Sequence, residues 1–200
     1  MKRLAFLASN NGSSMRAIVL AIEAGALEGQ AVLAVSNRKQ APALEFAQAH
    51  GLETLVIPTL SDPKGADVRL AEALAAQGAD LVILSGYLRR LGPATLSAFA
   101  GRVLNIHPAL LPRFGGEGMY GRRVHAAVIA SGETVSGASV HVVDGDYDHG
   151  PVLARTEVPV LADDTPESLE ARVVAAEPGL FVETLRRIAA GELALPEAPR

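Results

Sequence analysis

The stretch Leu104-Asn105-Ile106-His107-Pro108-Ala109-Leu110-Leu111-Pro112-Arg113-Phe114-Gly115-Gly116 decides how the rest of the chain is read. Arg102 to Ile106 reads as a short apolar strand, and prolines and glycines follow it. Alternate side chains of a strand share a face, so Asn105 and His107 present a carboxamide and an imidazole side by side. The residue before a proline is restricted to extended backbone, which holds His107 at the strand tip. Two hydrogen-bonding groups fixed at the mouth of a sheet suit a catalytic pair. The plainer alternative is a polar strand end with a histidine capping a loop, and four letters alone do not separate the two.

Upstream, strand and helix patterns alternate. Leu4 to Ala8 is an apolar run ending in Ser9-Asn10-Asn11-Gly12-Ser13-Ser14, after which Met15, Ile18, Val19 and Ile22 recur at helical spacing. Ala31 to Val35 reads as a strand, Pro42 to His50 as a helix stopped by Gly51, and Leu52 to Ile57 as a third strand. Asp67 to Gln77 is alanine-rich and helical and is closed by Gly78; Leu81 to Leu84 is a fully apolar strand; Pro93 to Ala100 is helical. Near-continuous apolar strands between amphipathic helices predict a parallel sheet covered on both faces. Ligands bind such sheets at the carboxyl ends of the strands. Ser9 to Ser14, Gly86 to Leu91 and Asn105 to Pro108 all lie at such ends.

The pattern changes downstream. Val124 to Ala130 reads as a helix, and Ala138 to Val143 and Val152 to Val160 as a strand pair around the loop Asp144 to Gly150. Thr165-Pro166-Glu167 starts a last helix that runs to about Ala190 with an expected bend at Pro178. The fold class is therefore α/β: a single Rossmann-like domain over residues 1–192 with a mostly parallel sheet, C-terminal antiparallel strands and a long last helix. Residues 193–200 are expected to form a loose tail.

Composition narrows the function. A chain of 200 residues, 49% of them hydrophobic, has room for one sizeable core. A formal net charge of −4 offers no basic surface for nucleic acid, but local geometry can still build a site for a small anion. There is no cysteine, which excludes disulfides, thiolate catalysis and cysteine-ligated metals. Leu4 to Ser9 is too short for a signal segment and no run reaches transmembrane length, so a soluble cytoplasmic domain without a membrane partner is expected. Monomer and homodimer both stay open.

Several segments carry chemistry. Asn10 to Ser14, between strand and helix, joins backbone amides, hydroxyls and one flexible glycine, which suits a phosphate. The segment lacks a Walker lysine and the dinucleotide glycine spacing, which favours a phosphomonoester over a nucleotide triphosphate or NAD; an ordinary helix cap is the alternative. Asp144-Gly145-Asp146-Tyr147-Asp148-His149-Gly150 fails as a calcium loop, because His149 and Arg155 stand where glycine and glutamate are needed. It is either a solvated acidic turn or the source of a carboxylate that keeps His107 protonated. His50, His125 and His141 read as structural. A metal site from His107, His125, His141 and Asp148 is conceivable, but no pair has the HExxH spacing, and no metal is expected.

Together these residues resemble the phosphoribosylglycinamide formyltransferases, folate-dependent enzymes of purine synthesis. The resemblance runs from Leu4 to about Ala190, and its most specific part is Asn105 to Pro112. Ser9 to Ser14, Ser85-Gly86-Tyr87-Leu88-Arg89-Arg90-Leu91, Ser139-Val140-His141 and Asp148 to Val152 support it. It implies transfer of a formyl group from 10-formyltetrahydrofolate to the amine of glycinamide ribonucleotide. By resemblance, Asn105, His107 and Asp148 are catalytic, with Asn105 and protonated His107 donating to the oxyanion and Asp148 keeping His107 charged and relaying a proton. Gly12, Ser13, Ser14, Pro108 and Glu177 match ribonucleotide positions. Lys64, Leu88, Arg89, Arg90, Leu91, Asn105 and Val143 match folate positions.

Four departures stand out. Asn10-Asn11-Gly12 replaces a glycine-asparagine-glycine loop, and Asp148-His149-Gly150 replaces aspartate-glycine-glycine. The Phe114 to His125 segment is longer than in the shortest family members, and is read either as ordering over substrate or as an ordinary surface loop. Val174 replaces a polar residue. Among related activities, a tRNA formyltransferase needs a further domain and a basic face. A formyltetrahydrofolate hydrolase usually carries an N-terminal regulatory domain, whereas this chain starts at the first strand. An amino-sugar nucleotide formyltransferase does not need the phosphate loop. A non-catalytic binding module does not require all three of Asn105, His107 and Asp148.

Overall fold

The computed structural model describes residues 1–196. Strands β1 (Arg3–Leu7), β2 (Gln30–Ser36), β3 (Glu53–Val56), β4 (Leu81–Leu84) and β5 (Val103–His107) alternate with helices α1 (Ser13–Glu23), α2 (Pro42–Ala49), α3 (Pro63–Ala76) and α4 (Pro93–Ala98). Helix α5 (Arg122–Ala130), β6 (Val135–Val142), β7 (Val152–Pro159) and α6 (Pro166–Ala189) complete the order. The seven strands form one sheet, β3-β2-β1-β4-β5-β6-β7. The first five pair in parallel, and β6 and β7 add antiparallel neighbours. The α/β architecture expected from the sequence is the one observed.

Side-chain alternation along β1 divides the core. Leu4 and Phe6 join one apolar cluster with Met15, Ile18, Leu44, Phe181 and Leu185, while Ala5 and Leu7 join a second with Leu70, Leu74 and Phe99. Helices α1, α2 and α6 therefore cover one face of the sheet, and α3 and α4 the other. A third cluster, Val128, Ala138, Val158, Leu169 and Val173, seats α5 and α6 against the antiparallel strands.

The chain leaves β1 for β2 and β3, then returns to the other side of β1 with β4, and a crevice opens where that order reverses. Ser9 laces its edges: its amide donates to Gly86 O (3.2 Å), its Oγ accepts from the Leu88 amide (2.8 Å), and it donates to Asn37 Oδ1 (2.6 Å). Ser85 Oγ accepts from the Met15 amide at 3.0 Å and so joins the end of β4 to the start of α1.

Element ends differ from expectation at several places; β6, for one, starts at Val135 and not Ala138. Helix α3 starts at Pro63, four residues before Asp67, because Asp62 caps it by accepting from the Gly65 amide at 2.9 Å and proline fits its first position. Asp67 is instead buried, and its carboxylate accepts from the amides of Gly92, Ala94 and Thr95 (3.1, 2.8 and 3.2 Å), capping α4 from a neighbouring helix. Helix α6 opens with the reciprocal Thr165–Ser168 capping box and stays helical through Pro178 to Ala189. Of the expected loose tail, Leu193 and Leu195 pack against the first cluster. Residues 197–200 lie outside the described residues. Among the described residues no helix is long and apolar enough to cross a membrane.

Candidate active site

Antiparallel register places Asn105 opposite His141 and His107 opposite Ser139. Ser139 Oγ donates to Ala109 O (2.7 Å) and accepts from the Leu111 amide (3.0 Å), and Arg155 Nη2 donates to Leu111 O (2.8 Å). The turn after His107 is thus held from β6 and β7.

The loop after β6 returns Asp148 to this strand end. Asp148 Oδ2 lies 3.3 Å from His107 Nδ1 and accepts from the Gly116 amide at 3.1 Å; its Oδ1 lies 3.5 Å from His141 Nε2. Asp148 and Phe114 both adopt left-handed backbone, φ 56° each. That conformation costs a non-glycine residue roughly 1–2 kcal/mol, and here these contacts offset it. A Cβ on Gly115 beside them would lie 2.5 Å from Leu111 Cδ2 and 3.1 Å from Asp148 Cβ, so the buried Leu111 side chain would have to shift.

His107 is 4% exposed. Its Nε2–H donates to Phe114 O at 2.7 Å, so acceptors flank both ring nitrogens. Burial pushes its pKa below the ordinary histidine value, against the pull of Asp148 and the Phe114 carbonyl. Asp148 thus acts in the expected direction, toward the charged ring, and burial opposes it. Both ring nitrogens face protein groups, so donation to a substrate oxygen requires Nε2–H to exchange the Phe114 carbonyl for that oxygen. For Asp148, burial raises the carboxyl, but the imidazoles of His141 and His107 and the Gly116 amide outweigh it and leave the group below the ordinary range.

His141 corrects its reading as a merely structural residue. It is 2% exposed, its Nδ1 lies 3.0 Å from Val142 O, and its Nε2 lies 3.1 Å from Asn105 Nδ2. It therefore touches both Asn105 and Asp148. The signal lay in spacing: Ser139 and His141 alternate on one face of a strand, as Asn105 and His107 do. His125, buried on α5, is 1% exposed and its Nδ1 has no partner among the described residues.

The predicted phosphate segment sits at the crevice edge. Gly12 precedes α1 with φ 65°, and a Cβ there would lie 3.1 Å from Ala43 Cβ. Ser14 is buried, Ser13 exposed, and Pro108 half-buried. Glu177 lies on α6, two turns beyond Glu170. Burial and then the Glu170 charge push its carboxyl up to about 7.

A cavity of about 790 Å³ opens between the start of α3 and the segment leading into α4. Lys64, Arg89, Arg90 and Leu91 line it with Thr59 and Gly145; Leu88, Asn105 and Val143 are not among its lining residues. Leu88 is 55% exposed, and Val143 packs on the second core cluster. Arg89 Nε and Thr59 Oγ1 are buried without a partner among the described residues, which leaves two polar atoms of lining residues unsatisfied. Of the long segment after Phe114, the carbonyl of Phe114 and the amide of Gly116 enter the site, while Tyr120 is 61% exposed. Among the described residues no group of three or more histidine, aspartate or glutamate side chains is placed to hold a metal.

Residues 2–185 match the formyl transferase family model. The chain belongs to the formyl transferase family. It is 42% identical over 190 residues to the chloroplastic phosphoribosylglycinamide formyltransferase of Arabidopsis thaliana, a match covering 94% of this chain and 65% of that protein. The chain thus spans just under two thirds of that relative's length. It is 34% identical over 193 residues to the phosphoribosylglycinamide formyltransferase of Escherichia coli (strain K12), covering 96% and 89% of the two chains. Among solved structures, glycinamide ribonucleotide transformylase 1 from Symbiobacterium toebii superposes with a TM-score of 0.89 at 34% identity, covering 99% and 92%.

Proposed function

We propose that this chain transfers the formyl group of 10-formyltetrahydrofolate to the amine of glycinamide ribonucleotide, giving N-formylglycinamide ribonucleotide and tetrahydrofolate. The observation that carries the reading is the contact set in which Asp148 reaches His107 while His141 reaches Asn105. The large cavity is within the range of small-molecule sites, roughly 300–1,000 Å³, and its unpartnered Arg89 Nε and Thr59 Oγ1 suit a folate with acceptor groups. The amides and hydroxyls of Gly12 to Ser14 at the start of α1 suit the ribonucleotide phosphate, and Pro108 is assigned to the same substrate.

The amine attacks the formyl carbon, a C–N bond forms, and the carbonyl oxygen becomes an oxyanion. Asn105 spends one amide hydrogen on His141 and has a second for that oxygen. His107, on taking a proton, finds acceptors for both N–H groups and adds positive charge beside the oxyanion in a dry site. Asp148 balances that charge and passes the proton leaving the amine toward the folate nitrogen as its C–N bond breaks. Glu177, titrating near 7, suits the amine or ribose end of the ribonucleotide. Both substrates are small molecules, and the reading carries a cytoplasmic setting with no metal in the step.

The test is His107→Ala, assayed for turnover and for folate binding. Turnover falls while binding persists if His107 belongs to the chemistry; unchanged turnover contradicts the assignment.

A further inference from the structure

We propose that Arg90 is a positioning residue, a latch that ties the loop carrying Asp148 to the wall of the large cavity and thereby sets how firmly the formyl donor is held. The proposal rests on that cavity being the donor site. Resemblance alone makes Arg90 a folate ligand, but its guanidinium is turned to the 144–150 loop. Arg90 Nη2 donates to the carbonyl of Gly145 and lies 3.8 Å from Asp146 Oδ1, and the guanidinium carbon sits 5.4 Å from the centre of the Tyr147 ring. Arg90 and Gly145 both line the cavity and both are exposed, so this bridge crosses its rim.

The loop it grips is already folded. Asp144 Oδ1 accepts from the Asp146 amide at 2.9 Å, and Asp144 Oδ2 lies 3.1 Å from His149 Nδ1. Its inner end is fixed separately, through the contacts of Asp148 with Gly116, His107 and His141. Outside the loop, Arg90 is the polar or aromatic partner of Gly145, Asp146 and Tyr147 among the described residues. Loss of Arg90 therefore frees the outer half while Asp148 stays in place. The ion pair contributes little, since both side chains are largely exposed. The ring and the carbonyl carry the latch.

The experiment compares wild type, Arg90→Gln and Asp146→Asn. Each is assayed with 10-formyl-5,8-dideazafolate and with the same donor lacking its glutamate, and amide exchange of residues 144–150 is followed without ligand. The latch predicts that Arg90→Gln raises KM about two- to fivefold for both donors, keeps kcat within about 1.5-fold and speeds exchange of the loop, with Asp146→Asn changing less. An effect confined to the glutamate-bearing donor would make Arg90 a direct carboxylate ligand and overturn the proposal. Unchanged exchange would overturn it too. Should no donor turn over in wild type, the proposed reaction fails, and the exchange comparison still decides whether Arg90 holds the loop.

Discussion

Asn105 and His141 face each other across β5 and β6, with His141 Nε2 3.1 Å from Asn105 Nδ2. The pairing aims the carboxamide and steadies Asp148 from its far side. His141→Ala should lower kcat by about 10²-fold, the size of effect that a misplaced reacting group causes, with a much smaller change in either KM. Steady-state kinetics check this; a rise in KM alone would make His141 a packing residue.

Removing a group at the reacting centre should cost more. Asn105→Ala and Asp148→Asn are each expected to lower kcat by about 10²–10³-fold, the first as loss of an oxyanion donor and the second as loss of a proton-transfer group. The double variant should fall well short of the product of the two losses, because the residues share His141. Multiplicative losses would mean that they act separately.

Glu177 gives stability a pH dependence of known sign. Its folded pKa, about 7, lies above its unfolded value. The folded state therefore binds more protons between roughly pH 4.5 and 7, and the stability this provides is lost as pH rises through that window. Glu177→Gln should accordingly raise Tm relative to wild type more at pH 8 than at pH 5. His107 and Asp148, with lowered folded values, have the opposite sign, their contributions fading as pH falls. Comparing the two proteins isolates Glu177, and parallel Tm profiles would refute the assignment.

Asp67 supports the cavity from beneath. Its carboxylate satisfies three amides at the start of α4. Asp67→Ala should destabilise the fold by about 1–3 kcal/mol through unsatisfied buried donors, and raise KM for the formyl donor more than for the ribonucleotide. Denaturant melts with kinetics check both.

Much of this was legible in the sequence, for physical reasons. Apolar runs stopped by glycine fix strands and helices locally, and Pro108 sets His107 at a strand tip. Asp148 was reachable because its loop follows a strand that could return to the same edge. What depended on register was hidden. His141 reads as an ordinary strand residue until β6 is laid antiparallel on β5, and Asp67 until α4 is packed on α3. How strongly burial opposes the charge on His107 is hidden for the same reason, since burial is a sum over distant segments. Asp62-Pro63, by contrast, is a local helix start that the alanine-rich run after it obscured. Arg90 reads as a folate contact, and nothing local reveals that the loop 55 residues on comes back to it.

Turnover of 10-formyl-5,8-dideazafolate by the purified protein, with and without glycinamide ribonucleotide, tests the central claim most directly. The account predicts rapid release of the deformylated folate only when the ribonucleotide is present. Release without any amine would make the chain a hydrolase, and no release in either case would contradict the proposed reaction.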